Sequence, residues 1–261
     1  MLSARSLFQE IIDDDDSFQL FCSIAASGET QGGWENGRIA ALVPESMRAL
    51  TPKITRHGAD EDKHGRLFNA LLKKRGLEPV AVPPETDYTM LLEKQGIGLA
   101  HEKLRRDEPL SEEDIVVYLS HSRVTEQRAA DQMDMLVKHF GDHPELGRAI
   151  TMICHDEDNH LSYCHEELLR LAAAGHGRTI QRVLRESALA EIKVYRDVSL
   201  AVMDHMGRLL RWPKPKSAAL AAGIHAMYAY ERSGGGHGMV SLKMPQRRGT
   251  LDGPAAPAPA F

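Results

Sequence analysis

Three observations predict an all-α fold for this chain. Aromatic residues are only 5% of its 261 residues, while Ala, Leu, Met and Arg, which keep their rotamer freedom in a helix, are plentiful. Apolar residues recur at 3–4 spacing through several long segments. Pro and Gly breaks separate those segments. The length suits one large domain or two small ones with a substantial core. No apolar run approaches 18 residues, so no membrane span is expected. Residues 1–16 end in four aspartates and are read as an acidic N-terminal segment, not a secretory signal.

The first helix is expected over about Ser17 to Val43, where Phe18, Phe21, Cys22, Ala25 and Ala26, then Trp34, Arg38, Ile39 and Leu42, keep one face apolar. Gly28, Gly32 and Gly33 weaken its middle. Pro44 starts a second helix running to about Arg75, with Gly76 as its stop and Pro52 as a candidate kink. Residues 77–109 are broken by prolines and hold one short helix, about Asp87 to Arg105. Ser111 with Asp114 reads as the N-cap of a third long helix to about Phe140. A turn at 141–144, with Asp142 or His143 as cap, opens a fourth that Gly175 ends. Two more are expected, about Thr179 to Leu210 and Lys216 to Glu231. Residues 232–261 are rich in Gly and Pro and are expected to be disordered.

Cys22, Cys154 and Cys164 are an odd number without metal-ligand spacing, which excludes a disulfide scaffold and fits a reducing cytoplasm. The net charge of −5 is unevenly spread: residues 178–248 carry 13 Lys and Arg against 5 Asp and Glu. A basic region on an acidic body could meet an acidic partner, nucleic acid or lipid; a solvated helix face is the commoner reason.

The chemistry concentrates in two pentads, Asp60-Glu61-Asp62-Lys63-His64 and Asp156-Glu157-Asp158-Asn159-His160, identical at four of five positions. Each holds Glu-x-x-His in the middle of a long helix, so carboxylate and imidazole share one face. A first-row metal suits that face. If the first two helices form a hairpin about Pro44, Glu61, 17 residues beyond the turn, lies level with Glu29, 15 before it. Glu35 is the rival, but at 1.5 Å per residue it misses that level by about 12 Å. Around His143, Glu157 is likewise level with Glu126. The chain thus reads as a duplicated hairpin, each half supplying Glu…Glu-x-x-His. Four carboxylates at one level would repel strongly unless cations neutralised them.

Four carboxylates and two imidazoles facing into one bundle resemble the ferritin-like di-metal carboxylate superfamily over residues 17–174. The resemblance implies a ferritin-like four-helix bundle with a long crossover between its second and third helices, here carrying two additional C-terminal helices in a domain of residues 17–231. It implies two metal ions: Glu61 and Glu157 bridging, Glu29 and Glu126 terminal, His64 and His160 binding one ion each. Asp60 and Asp156 would each hydrogen-bond a ligating histidine of the opposite pair. Asp62, Lys63 and Asp158 are assigned to solvent. His57, His121, His155 and His165 are assigned to polar packing, and Tyr163 to the core. Glu191 or Tyr195 is a less favoured addition to the site. Gly32, Gly33, Ala129 and Ala130 either leave room beside the metals or pack helices closely.

The activity so implied is that of a non-haem di-iron oxidoreductase, in which two iron ions activate dioxygen to oxidise or hydroxylate a small organic substrate. Manganese or a mixed Mn/Fe pair fits the same ligands. An external electron donor or reductase is implied, since no flavin, Rossmann or iron–sulfur motif is present. A homodimer is compatible with this reading. The alternatives are a ferroxidase, iron-handling or peroxide-scavenging protein, against which the crossover and extra helices weigh, and a scaffold without redox turnover. A tRNA-modifying hydroxylase is narrower still, because the basic region shows no aromatic stacking platform.

Overall fold

The computed structural model describes residues 3–242. Its regular structure is entirely helical: no strand occurs among the described residues. The helices are α1 (Ala4–Asp13), α2 (Asp15–Leu42), α3 (Thr51–Lys74), α4 (Tyr88–Lys94), α5 (His101–Leu104), α6 (Glu112–Phe140), α7 (Gly147–Leu171), α8 (Gly177–Leu209), α9 (Lys214–Tyr230) and α10 (His237–Val240). Helices α2 and α3 pack as one hairpin and α6 and α7 as another. The hairpins meet through α3 and α7, and α8 lies along α6. Together these helices form a bundle, and none of the helices among the described residues is long and apolar enough to cross a membrane.

The local signals explain most boundaries. Ser111 accepts from the Asp114 backbone N–H while Asp114 reaches back to Ser111, closing a capping box at the start of α6. Gly76, at φ 72°, follows α3, where an L side chain would be strained. Four expectations need correction. Pro44 does not start a helix; residues 45–50 form a 3-10 turn, and Pro52 sits in the first turn of α3, where its missing N–H costs nothing. The short crossover helix is two pieces, α4 and α5, separated where Gly96 and Gly98 take positive φ. Helix α7 begins only at Gly147, with no side-chain cap on its first turn; the His143 ring accepts from the Glu145 and Leu146 N–H groups just upstream. The acidic segment, for whose structure the sequence carries no expectation, forms α1, which buries Ile11 and Ile12. The tail is ordered at its start, where α10 buries Met239 against α6 and α8. Residues 243–261 of the expected disordered tail lie outside the described residues.

Two large apolar clusters flank the middle of the bundle, and a small third one joins Ile11, Leu20 and Met206. One large cluster joins Ile39, Ile54, Ile115, Leu119, Leu168 and Leu184, where α2 ends and α6 begins. The other joins Phe18, Cys22, Phe68, Leu72, Phe140 and Ile153, around the opposite ends of the same helices. Between them lies a layer of carboxylates and imidazoles. Helices α2 and α3 approach closely beside it because they meet on glycine: a Cβ on Gly32 would stand 2.9 Å from Glu61 Oε2, and one on Gly65 2.7 Å from Thr30 Oγ1.

Candidate metal centre

Glu29 projects from α2, Glu61 and His64 from α3, Glu126 from α6, Glu157 and His160 from α7. All six meet in the layer between the apolar clusters. With His57 of α3 they fall into two groups whose potential ligand atoms lie within 4.8 Å of one another: Glu29, Glu61, His64 and Glu157 in one, His57, Glu61, Glu126 and His160 in the other. Glu61 belongs to both. Glu29, rather than Glu35, reaches the layer; Glu35 instead bonds His101 at 2.6 Å.

In the first group, His64 Nδ1 faces Glu29 Oε2 at 3.3 Å and Glu157 Oε1 at 3.4 Å. Its Nε2 faces Asp156 Oδ2 at 3.1 Å. In the second, His160 Nδ1 faces Glu61 at 3.4 Å and Glu126 at 3.5 Å, and its Nε2 stands 3.6 Å from Asp60. Each aspartate therefore lies behind the histidine of the opposite pentad: Asp156 within hydrogen-bond distance, Asp60 slightly beyond it.

Electrostatics bind this layer together. Burial works against a charged His64, but Glu157 and Glu29 outweigh it and push its pKa up to about 11. His160 is driven to about 11 in the same way, burial being outweighed by Glu126 and Glu157. Burial and the Glu61 charge raise Glu29 well above the ordinary carboxylate range. Burial also opposes ionisation of Glu126, yet His57 and His160 hold it well below that range. Protons on imidazole thus do part of the neutralising that cations would do.

The donor set fits metal ions. Glu126 Oε2 and both ring nitrogens of His160 are buried and make no hydrogen bond among the described residues. Buried polar atoms without partners are costly; coordination would satisfy Glu126 Oε2 and His160 Nδ1, while His160 Nε2 faces Asp60. Imidazole nitrogen with carboxylate oxygen is the ligand chemistry of iron, manganese and zinc.

Several residues depart from their sequence assignments. His57 is not polar packing: its Nε2 lies 3.2 Å from both Glu61 and Glu126, inside the second group. Its spacing was the available signal, since 57, 61 and 64 share one helix face. Tyr163 bonds His57 Nδ1 at 2.7 Å and Tyr118 at 2.8 Å, so it borders the site. Lys63 is not simply solvated: its ammonium bridges Asp60 at 2.7 Å and Asp156 at 2.6 Å. Glu191 is engaged elsewhere, paired to Arg128 at 2.7 Å and accepting from Tyr88 at 3.0 Å, with Arg128 lying over the Tyr195 ring. Gly32 packs helices closely and makes room for Glu61 rather than for a ligand. His121, His155 and His165 belong to neither group.

Comparison of the chain with protein-family models, curated proteins and solved structures finds no match. What the chain does must be read from these side chains.

Proposed function

We propose that this chain is a ferritin-like di-metal carboxylate oxidoreductase, which activates dioxygen to oxidise or hydroxylate a small organic substrate with electrons from an external donor. The observation that carries this reading is the pair of four-donor groups sharing Glu61. Two divalent ions would balance the four glutamates of those groups. Glu29, His64 and Glu157 would hold one ion, His57, Glu126 and His160 the other, and Glu61 both. Iron is the metal of choice for this chemistry; manganese or a mixed pair suits the same ligands. When bound, such a pair supplies redox chemistry towards dioxygen that no protein side chain here provides.

The chain's own residues prepare the site. Asp156 accepts from His64 Nε2–H, so Nδ1, which faces Glu29 and Glu157, is the nitrogen that would give up its proton to an ion. A carboxylate behind a ligating imidazole fixes its tautomer and raises its basicity. Lys63 bridges Asp60 and Asp156 and Arg56 stands 3.6 Å from Asp60, so two cations offset the two carboxylates that orient the imidazoles. The apolar clusters above and below exclude water and strengthen the local electrostatics.

Anaerobic loading with Fe²⁺ followed by elemental analysis tests the reading. Two ions per chain are expected, with uptake ceasing there. Glu29→Ala and Glu126→Ala should each weaken one ion, and Glu61→Ala both. A Glu61→Ala protein that keeps two tightly bound ions refutes the shared site. Continued uptake far beyond two ions would point to iron storage instead. Consumption of oxygen by the loaded, reduced protein then separates a redox enzyme from an inert scaffold.

A further inference from the structure

The two halves of this site are chemically unequal, and the inequality implies an order of filling. One group offers two imidazoles and two carboxylates, His57, His160, Glu61 and Glu126; the other offers one imidazole and three carboxylates, His64, Glu29, Glu61 and Glu157. The asymmetry comes from one position in the repeat. His57 precedes Glu61 by four residues, and the residue that precedes Glu157 by four is Ile153, buried in the apolar cluster.

A chain of hydrogen bonds fixes His57 in a ligand's tautomer. Tyr118 donates its proton to Asn36 Oδ1 at 2.6 Å. In its 2.8 Å contact with Tyr163 it can therefore only accept. Tyr163 spends its proton on Tyr118, so in its 2.7 Å contact with His57 Nδ1 it must accept in turn. His57 consequently donates from Nδ1 and keeps that proton, so a proton on Nε2 is the one an ion would displace. Its Nε2, 3.2 Å from Glu61 and from Glu126, is the atom turned to the site. An imidazole so held behind the ring is oriented to bind metal through its other nitrogen.

We propose that His57 is a metal ligand and that it makes the His57–His160 group a nitrogen-rich site, filled first by ions that prefer nitrogen, such as Zn²⁺. The carboxylate-rich group is then the first choice of a hard ion such as Mn²⁺, which prefers oxygen and the larger negative charge. The site sorts metals by donor type, with Asn36, Tyr118 and Tyr163 as positioning residues for His57. This rests on the di-metal reading above.

The test uses full-length metal-free protein labelled with ¹⁵N-histidine and titrated with Zn²⁺ or Mn²⁺, the three ring signals being assigned from single His→Gln variants. With the first equivalent of Zn²⁺, His57 and His160 should shift while His64 holds still; His64 should follow with the second. With one equivalent each of Zn²⁺ and Mn²⁺, elemental analysis should find one of each per chain, and Glu29→Ala should lose the Mn²⁺ while keeping the Zn²⁺. Tyr163→Phe should lower affinity for the first Zn²⁺ about tenfold or more, leave the second nearly unchanged and keep wild-type helicity by circular dichroism. His57 shifting with neither equivalent, or His64 responding to Zn²⁺ together with the other two, overturns the inference while leaving the di-metal reading standing. Failure to bind either metal overturns both.

Discussion

Gly32 shows how one missing methyl group positions a ligand. The Cβ of an alanine there would fall 2.9 Å from Glu61 Oε2, the end of a flexible side chain, and no other side chain or backbone atom from elsewhere comes as near. The substitution should therefore be tolerated by the fold and not by the site. Alanine favours an exposed helix interior over glycine by about 1 kcal/mol, so Gly32→Ala should leave the melting temperature of the metal-free protein unchanged or slightly raised. Because Glu61 is common to both groups, its displacement should weaken both ions, which elemental analysis against wild type would detect. Binding of two ions at wild-type affinity would show that Glu61 has slack here. His57 teaches the complementary lesson about legibility. The six residues Glu29, Glu61, His64, Glu126, Glu157 and His160 were readable because the pentads repeat and because helix rise sets which glutamates lie level. His57 was not, because its counterpart in the other half is Ile153: an argument from symmetry looks past a ligand that only one half possesses. Lys63 escaped for a related reason, since its partner Asp156 lies on another helix and cannot be found by spacing within one.

At the scale of helices and their joints, Arg75 is the clearest fastening point. It closes α3, and its guanidinium donates to Glu145 at 2.8 Å before α7 and to the Ile12 carbonyl at 2.7 Å in α1, while lying 3.7 Å over the Phe18 ring of α2. Three helices and the turn before α7 are joined by one side chain that is only 17% exposed. Arg75→Ala should destabilise the protein by about 2 kcal/mol, the scale of hydrogen bonds to a charged group, measurable by urea denaturation. Arg75 holds the Glu145 carboxyl below the ordinary carboxylate range. That contribution is fully present above the unfolded carboxyl pKa of about 4.3 and is lost as pH falls through the lower folded value. The gap between wild type and Arg75→Ala should therefore narrow below about pH 4, and a gap independent of pH would assign the effect to packing on Phe18. The long helices were legible from periodicity, and their ends from Ser111, Gly76 and Gly175. The crossover was read less well, because Gly96 and Gly98 interrupt what composition alone presents as one helix. Helix α10 was missed because Gly-rich sequence argues for disorder, whereas Met239 packs into an apolar cluster made by residues far away in the chain.

Across the whole molecule, a charged layer divides two apolar clusters, and that division costs stability unless the charge is neutralised. In the metal-free protein, protons on His64 and His160, held to about 11 by the surrounding carboxylates, offset part of the negative charge. Ions would replace those protons and bind the folded chain alone, since the ligands come from α2, α3, α6 and α7 and are scattered once it unfolds. An ion that binds only the native state stabilises it by about 2.7 kcal/mol at a hundredfold excess over its Kd. For a chain of this size each kcal/mol is worth about 2–4 °C, so each ion should raise the melting temperature by about 5–11 °C. Removing metal with a chelator should reverse the rise, and Glu61→Ala should nearly abolish it. Glu35→Gln, which alters a carboxylate paired with His101 away from the layer, should leave the increment intact. A metal-dependent rise that survives Glu61→Ala would place the stabilising ions elsewhere on the chain. No rise in wild-type protein would mean that its buried carboxylates and imidazoles form a protonated polar core in their own right.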